Sequence, residues 1–398
     1  MLLLENAIIH PMRQDSNTKE DTFTGSILVK DGKIMEVSSQ LVLPDSADCE
    51  RIDVNRQHIY PGFIEAHCHM GITEEKKGKE GDDCNEMVHP ITPMLRAIDA
   101  INTMDAAFHD AVRAGITAAM IGPGSANVVG GQFAVVKTSG RRVDDLIVKT
   151  PAAMKVAFGE NPKTNYDNIG ISPVTRMGVA GLLRQELTKA CQYYKKRGQI
   201  EPDFHYEAWV PVLEKKIPLK AHVHRVDDIF TAIRIAKEFD LCMTLDHCSE
   251  GHLIAEELAA EGFPAIVGPD LASRNKIEVQ NMAFKTAGVL ARAGVLVAIT
   301  TDHPVSLIQS LPLCAGLSVK AGLSMQEGLR AITINAARIC GVADRMGSVE
   351  VGKDADFAIF DGNPMEVFTN TLLTVIDGKI VYRNENTKTL LANKMRVQ

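Results

Sequence analysis

Two histidines two residues apart, His67 and His69 in the run EAHCHMG, have the types and spacing to bind a metal ion. In extended backbone the side chains at i and i+2 point to one face, so the pair can offer two imidazoles to one ion. Four more polar groups appear in or at the ends of apolar segments. Lys155 sits in AAMKVAFG, otherwise free of charge, and His222 lies near the end of LKAHVH. His247 closes CMTLDH and Asp302 closes VAITTD. Imidazole nitrogen and carboxylate oxygen suit Zn²⁺, and also Mn²⁺ or Fe²⁺.

The elements that must position these groups alternate. From about residue 59 to 354, apolar strands interleave with amphipathic helices, the pattern of βα units on a parallel sheet. The strand candidates are 58–67, 115–122, 151–159, 218–224, 241–247, 263–269 and 294–302. FAVVKT (133–138) and DLIVKT (145–150) compete for the third position. Helices are predicted over 93–114, 176–197, 226–239, 250–261 and 277–293. His222 and His247 are 25 residues apart, about one βα unit, and His247 and Asp302 are 55 apart, about two. The candidate groups then fall on strands one, four, five, six and eight. Eight parallel strands would close into a (β/α)₈ TIM barrel, whose chemistry sits at the C-terminal ends of its strands.

The two ends of the chain share a different texture. VKDGKIMEV and VIDGKIVYR are short β-rich runs broken by Asp-Gly, a hairpin signal. Residues 1–58 and 355–398 are therefore expected to build one small β-sandwich beside a barrel of 59–354. At 398 residues, one large and one small domain is the natural division.

A net charge of −7 argues against a general nucleic-acid binder. Eight cysteines without a CxxC pair read as reduced thiols rather than a disulfide framework. No basic segment precedes the short apolar start, and no apolar run approaches the roughly 18 residues that span a membrane. The expectation is a cytoplasmic protein acting on a small molecule, with no nucleic-acid or membrane partner, and able to form a homo-oligomer.

PGFIEAHCH, KAHVH, TLDH, TTDHP and GSVEVGKDADFAIF resemble the amidohydrolase superfamily over essentially the whole chain, nearest to its imidazolonepropionase-like and prolidase-like branch. The resemblance implies that His67 and His69 bind the more buried metal and that His222 and His247 bind a second. It implies that Asp302 binds metal and shuttles the proton. Lys155 matches a lysine that many members carboxylate with CO₂, making a carbamate able to bridge two ions. Glu160, five residues on, competes for the bridge, and with Glu160 there a single-metal site becomes the simpler reading. The implied activity is hydrolysis of a C–N bond in an amide, cyclic amide or dipeptide by water activated on one or two divalent ions, Zn²⁺ first. The nearest rival is a deaminase acting on a ring amine; a rival of another class is a catalytically silent scaffold.

Other residues carry two readings each. His224 should face the same side as His222 and touch substrate, or else serve behind the ligands. Arg225 could clamp a substrate carboxylate or cap the next helix. Tyr166, with Asn161, Lys163 and Arg176, lies between strands four and five and could recognise a polar substrate. The charged segment 72–90, long for a loop in a compact domain, is placed over the barrel mouth.

Overall fold

The computed structural model describes residues 1–14, 22–41, 48–75 and 77–385. The tail of the expected 355–398 segment therefore lies outside the described residues. Among the described residues, sixteen strands form two eight-stranded sheets.

The chain ends build the first sheet: β1 (Leu2–Ile9), β2 (Phe23–Lys30), β3 (Lys33–Ser38), β4 (Glu50–Asp53) and β5 (His58–Pro61) join three strands from the far end of the chain. Because β5 reaches Pro61, this sheet extends slightly past the expected boundary at 58. The second sheet is the barrel, with β6 (Phe63–Cys68), β7 (Ile116–Ile121), β8 (Val129–Lys137), β9 (Ile147–Ala157), β10 (Leu219–Val223), β11 (Met243–His247), β12 (Ala265–Val267) and β13 (Val297–Ile299) following one another in order. The chain then returns to the first sheet as β14 (Phe357–Phe360), β15 (Thr371–Ile376) and β16 (Lys379–Arg383).

Both Asp-Gly pairs turn hairpins. Asp31 and Gly32 have φ of 51° and 76°, and Asp377 and Gly378 have 48° and 72°, the left-handed pair that matches strand twist. The sheet curls until these two tips meet, and a Cβ added at Gly378 would lie 3.5 Å from the Gly32 Cα. Leu4, Ile27, Ile59, Phe357 and Val375 fill the space inside. Lys137, at the end of β8, ties this sheet to the barrel. Its ammonium is buried and lies 3.1 Å from Asp354, 2.5 Å from Asp356 and 3.2 Å from Asp377.

The barrel departs from eight parallel strands at one place. β8 runs antiparallel to both β7 and β9, while the other adjacent pairs are parallel. The cause is connection length: the link between β7 and β8 is far shorter than the dozen or more residues a parallel crossover needs. FAVVKT falls in β8 and most of DLIVKT in β9, so the two competitors for one strand form two. Helices 176–196 and 226–238 pack around the outside near the predicted positions, while the expected 250–261 and 277–293 helices begin only at Ala255 and Lys285. The expected 93–114 helix is confined to 106–113.

Side chains bridge the seam between the last and first strands. Glu65 is fully buried; it accepts from the Thr301 N–H at 2.9 Å and the Thr301 hydroxyl at 2.7 Å. The Thr300 hydroxyl lies 2.6 Å from both the Glu65 carboxylate and the His67 carbonyl. The His69 N–H donates to the His303 carbonyl at 2.8 Å.

At the base of the first sheet, the His10 ring stacks 4.1 Å from Tyr60, and its Nε2 lies 2.9 Å from the His58 Nδ1. Burial, then the neighbouring His58, pushes the His10 pKa down to about 4. The native state therefore binds fewer protons than the unfolded chain between pH 6.5 and 4, and stability falls as pH falls through that window. Acid melting experiments are expected to show a loss on the order of 2–3 kcal/mol from this group. His10→Gln should flatten the slope, and an unaltered slope would show that the pair is not its source.

Candidate metal centre

All the predicted ligands except Glu160 lie together at the C-terminal mouth of the barrel. His67, on β6, is fully buried, and its Nε2 lies 3.5 Å from Asp302 Oδ1. His69 Nε2 is 3.3 Å from the same oxygen. The donor atoms of His67, His69 and Asp302 lie within 4.8 Å of one another, and those of His222, His224 and His247 form a second such group. The His67 and His247 rings, 5.0 Å apart, join the two. Lys155 Nζ reaches to 3.3 Å from His67 Nε2.

Backbone geometry explains how neighbouring residues both reach the site. Strand alternation should send Asp246 and His247 to opposite faces. His247 instead adopts left-handed φ of 71° at the end of β11, and Asp302 φ of 51° in the turn after β13. Such conformations cost on the order of 1–3 kcal/mol for a non-glycine residue and concentrate at functional sites.

The rings are oriented from behind. His69 Nδ1 donates to the Gly122 carbonyl at 2.7 Å and His247 Nδ1 to the Gly268 carbonyl at 2.8 Å. A carbonyl only accepts, so Nδ1 carries the proton in each of these bonds and Nε2 is the atom each ring turns to the centre. His67 Nδ1 is 2.8 Å from Asp246 Oδ2. The other Asp246 oxygen accepts from Thr244 at 2.8 Å, and Lys220 Nζ lies 3.3 Å from Asp246 Oδ2.

Electrostatics keep most of these groups in metal-ready forms. Burial holds His67, His222 and His247 well below the ordinary imidazole pKa, so these rings are neutral. Burial also lowers Lys155, to about 8, although Asp246 and Asp302 oppose it. For Asp302 burial works upward, but His247, His69 and Lys155 outweigh it and hold the carboxyl below its usual range. Among the buried atoms of the described residues that lack a hydrogen-bond partner are two carboxylate oxygens at this cluster, Asp302 Oδ1 and Glu278 Oε1. Orphaned lone pairs are costly, and a divalent cation would satisfy them. The donor set fits such an ion.

A cavity of about 300 Å³ opens over the cluster. Thr73, Asp82, Cys84 and Asn85 line it, so the charged 72–90 segment does lie at the mouth. Lys155, Asn161, His224 and Lys276 also face it. Glu160 and Tyr166 are not among the lining residues. Glu160 begins helix 160–168 and Tyr166 is buried in the same helix. Arg225 is likewise elsewhere, bound to Asp227 at 3.0 Å as it caps helix 226–238. It faces a separate shallow depression with Arg234 and Glu250.

Four contributors escaped sequence reasoning. Asp246 and Lys220 sit inside recognised motifs, one residue before His247 and two before His222, and Glu65 lies two before His67. A period-2 reading extended inward from each ligand would have found Lys220 and Glu65. Asp246 needed knowledge of the His247 turn, and Glu278 fell inside the helix predicted over 277–293, whereas the structure puts it in a 3₁₀ turn before a helix that starts at Lys285. Asp246→Ala is expected to leave the Lys220 charge buried without its carboxylate. The expected cost is about 3–5 kcal/mol in denaturant unfolding and about 10–100-fold in metal affinity through the freed His67 ring. Wild-type affinity in a metal titration would show that His67 needs no such support.

An eight-stranded barrel with two histidine-rich donor groups at its mouth, coupled to a sheet made from both chain ends, defines a particular class of hydrolase-type fold. The chain belongs to the amidohydrolase family, whose model matches residues 58–381. It is 38% identical to an amidohydrolase from Thermotoga maritima of solved structure, with a TM-score of 0.91, covering 96% of this chain and 100% of that one. It is 27% identical over 394 residues to the amidohydrolase tasK of Hapsidospora irregularis, covering 89% of this chain but only 39% of that protein. It is 23% identical over 368 residues to an imidazolonepropionase of Desulfotalea psychrophila, covering 85% and 86% of the two chains. No helix among the described residues is long and apolar enough to cross a membrane.

Proposed function

We propose that this protein hydrolyses a C–N bond in an amide, cyclic amide or dipeptide, using water activated at a divalent metal centre. The observation that carries this reading is the meeting of His69, His222, His247 and Asp302 at one cavity, with His67 grouped beside His69 and Asp302 and buried lone pairs left unpaired. The likeness to an imidazolonepropionase supports a cyclic amide among the substrates to be tried.

His67, His69 and Asp302 would hold one ion, and His222 and His247 a second, with Zn²⁺ first and Mn²⁺ or Fe²⁺ as substitutes. A bound ion supplies Lewis acidity, which lowers the pKa of water to near 7 and polarises a carbonyl. The remaining work falls to side chains. Asp302 takes the proton from the attacking water and returns it to the departing nitrogen. Lys155, poised near neutrality by burial, presents the free amine that reaction with CO₂ requires, and its carbamate would supply the bridging oxygens. Lys220 and Asp246 hold His67 in place.

A screen of N-acyl amino acids, dipeptides and cyclic amides with Zn²⁺ or Mn²⁺ tests the reading. Metal-dependent release of a new carboxylate is the expected result. Ammonia released from a ring amine with the ring intact would move the assignment to a deaminase, and metal-free protein purified without chelators would favour a silent scaffold.

A further inference from the structure

The loop after β12 contributes a side chain that the reading above leaves without a task. Glu278 sits in a single turn of 3₁₀ helix, Ile277–Val279. Its neighbour Ile277 is 69% exposed, yet Glu278 is 1% exposed. The turn thus drives one carboxylate into the barrel mouth.

The two oxygens of that carboxylate fare differently. Oε2 accepts the Glu160 backbone N–H at 2.8 Å. The fit is close, since a Cβ at the preceding Gly159 would lie 2.7 Å from Oε2. Oε1 has no hydrogen-bond partner. It lies 3.7 Å from His222 Nε2 and 3.7 Å from His224 Nε2. Lys276 Nζ is 3.8 Å away and gives its short bond to Asn161 Oδ1 at 2.6 Å. A buried carboxylate oxygen left this way is expensive unless a cation meets it.

Donor atoms spaced in this way suit a first-row divalent ion. With ligand distances of about 2.0–2.1 Å, tetrahedral ligand atoms sit about 3.4 Å apart. His224 completes the pattern: its Nδ1 lies 2.8 Å from the Ser249 hydroxyl, which leaves Nε2 for the cavity. Its ring stacks on His247 with centroids 4.8 Å apart.

Resting on the metal-centre reading, we propose that Glu278 is a further ligand of the second ion, through the oxygen that faces His222 and His224, beside the bridging Lys155 carbamate. His224 is then a ligand rather than a substrate contact. The second ion is thereby anchored to the loop after β12 as well as to β10 and β11, and substrate entering past Pro269 and Lys276 meets that ion first.

Equilibrium dialysis of the full chain against Zn²⁺, read by inductively coupled plasma mass spectrometry, tests the assignment. Wild type is expected to bind two ions. Glu278→Gln, which keeps size and removes charge, should lower the affinity of one by about 10–100-fold and leave the other unchanged. The visible absorption of the Co²⁺-loaded protein should change with it. Two ions at wild-type affinity and an unaltered Co²⁺ spectrum in Glu278→Gln would overturn the assignment of Glu278 alone. Wild type that binds no metal would instead overturn the whole metal-centre reading, and wild type that binds a single ion would remove the second site. Anomalous scattering from Zn²⁺-loaded wild-type crystals needs no variant: an ion within ligand distance of Glu278 Oε1 and His224 Nε2 supports the site, and an ion beyond about 3 Å from both refutes it.

Discussion

Asp302→Asn is expected to lower kcat by about 10²–10⁴-fold, the range general acid–base catalysis contributes, while most of the bound metal remains. The geometry makes this a clean exchange. Asp302 holds a left-handed φ of 51°, a conformation that asparagine tolerates about as well as aspartate. Backbone strain is therefore nearly unchanged, and what disappears is a carboxylate held below its usual pKa by His247, His69 and Lys155 against the pull of burial. An amide in that position can still lean on the ion through its oxygen, but it cannot accept the proton of water and pass it to nitrogen. Steady-state kinetics on any substrate found in the screen, paired with metal analysis of the same preparation, checks both halves. Unchanged turnover would remove Asp302 from its assigned role, and complete loss of metal would make it a ligand only.

Lys155→Met should be comparably damaging, with a loss of about a hundredfold or more in kcat/KM and weakened metal binding, whereas Glu160→Gln should stay within about threefold of wild type. Methionine preserves the unbranched length in a strand interior and deletes only the amine. Lys155 lines the cavity with its Nζ 3.3 Å from His67 Nε2, and burial has brought its pKa to about 8, where the free amine is accessible. Glu160 is outside that lining and offers its backbone N–H, not its carboxylate, to Glu278. Kinetics and metal content measured with and without added bicarbonate check the pair. An active Lys155→Met alongside a dead Glu160→Gln would reverse the assignment.

What the sequence disclosed was strongest where local periodicity and chemistry coincide. His67 and His69 obey the period of a strand, His247 ends one and Asp302 closely follows another, and the two Asp-Gly turns announce their hairpins. β8 was visible as an apolar run, but its direction was not, because orientation is decided by the length of the link before it rather than by its own residues. Arg225 and Tyr166 drew attention by residue type alone; one is held by a carboxylate two residues away and the other by burial in its own helix. Glu278 shows the opposite failure. The helical pattern predicted over 277–293 covers it, yet it reaches the site because a tight turn before that helix points it there.

The way the barrel closes has a consequence for when the site comes into being. His67 and His69 stand on the first strand, Asp302 follows the last, and Glu65 with Thr300 and Thr301 is what fastens those two edges together. A growing polypeptide carries the two halves of that donor group more than two hundred residues apart, and contacts so remote in sequence are slow to form. Ion capture between His67, His69 and Asp302 would therefore report the final act of assembly, and metal in the growth medium should matter most at that moment.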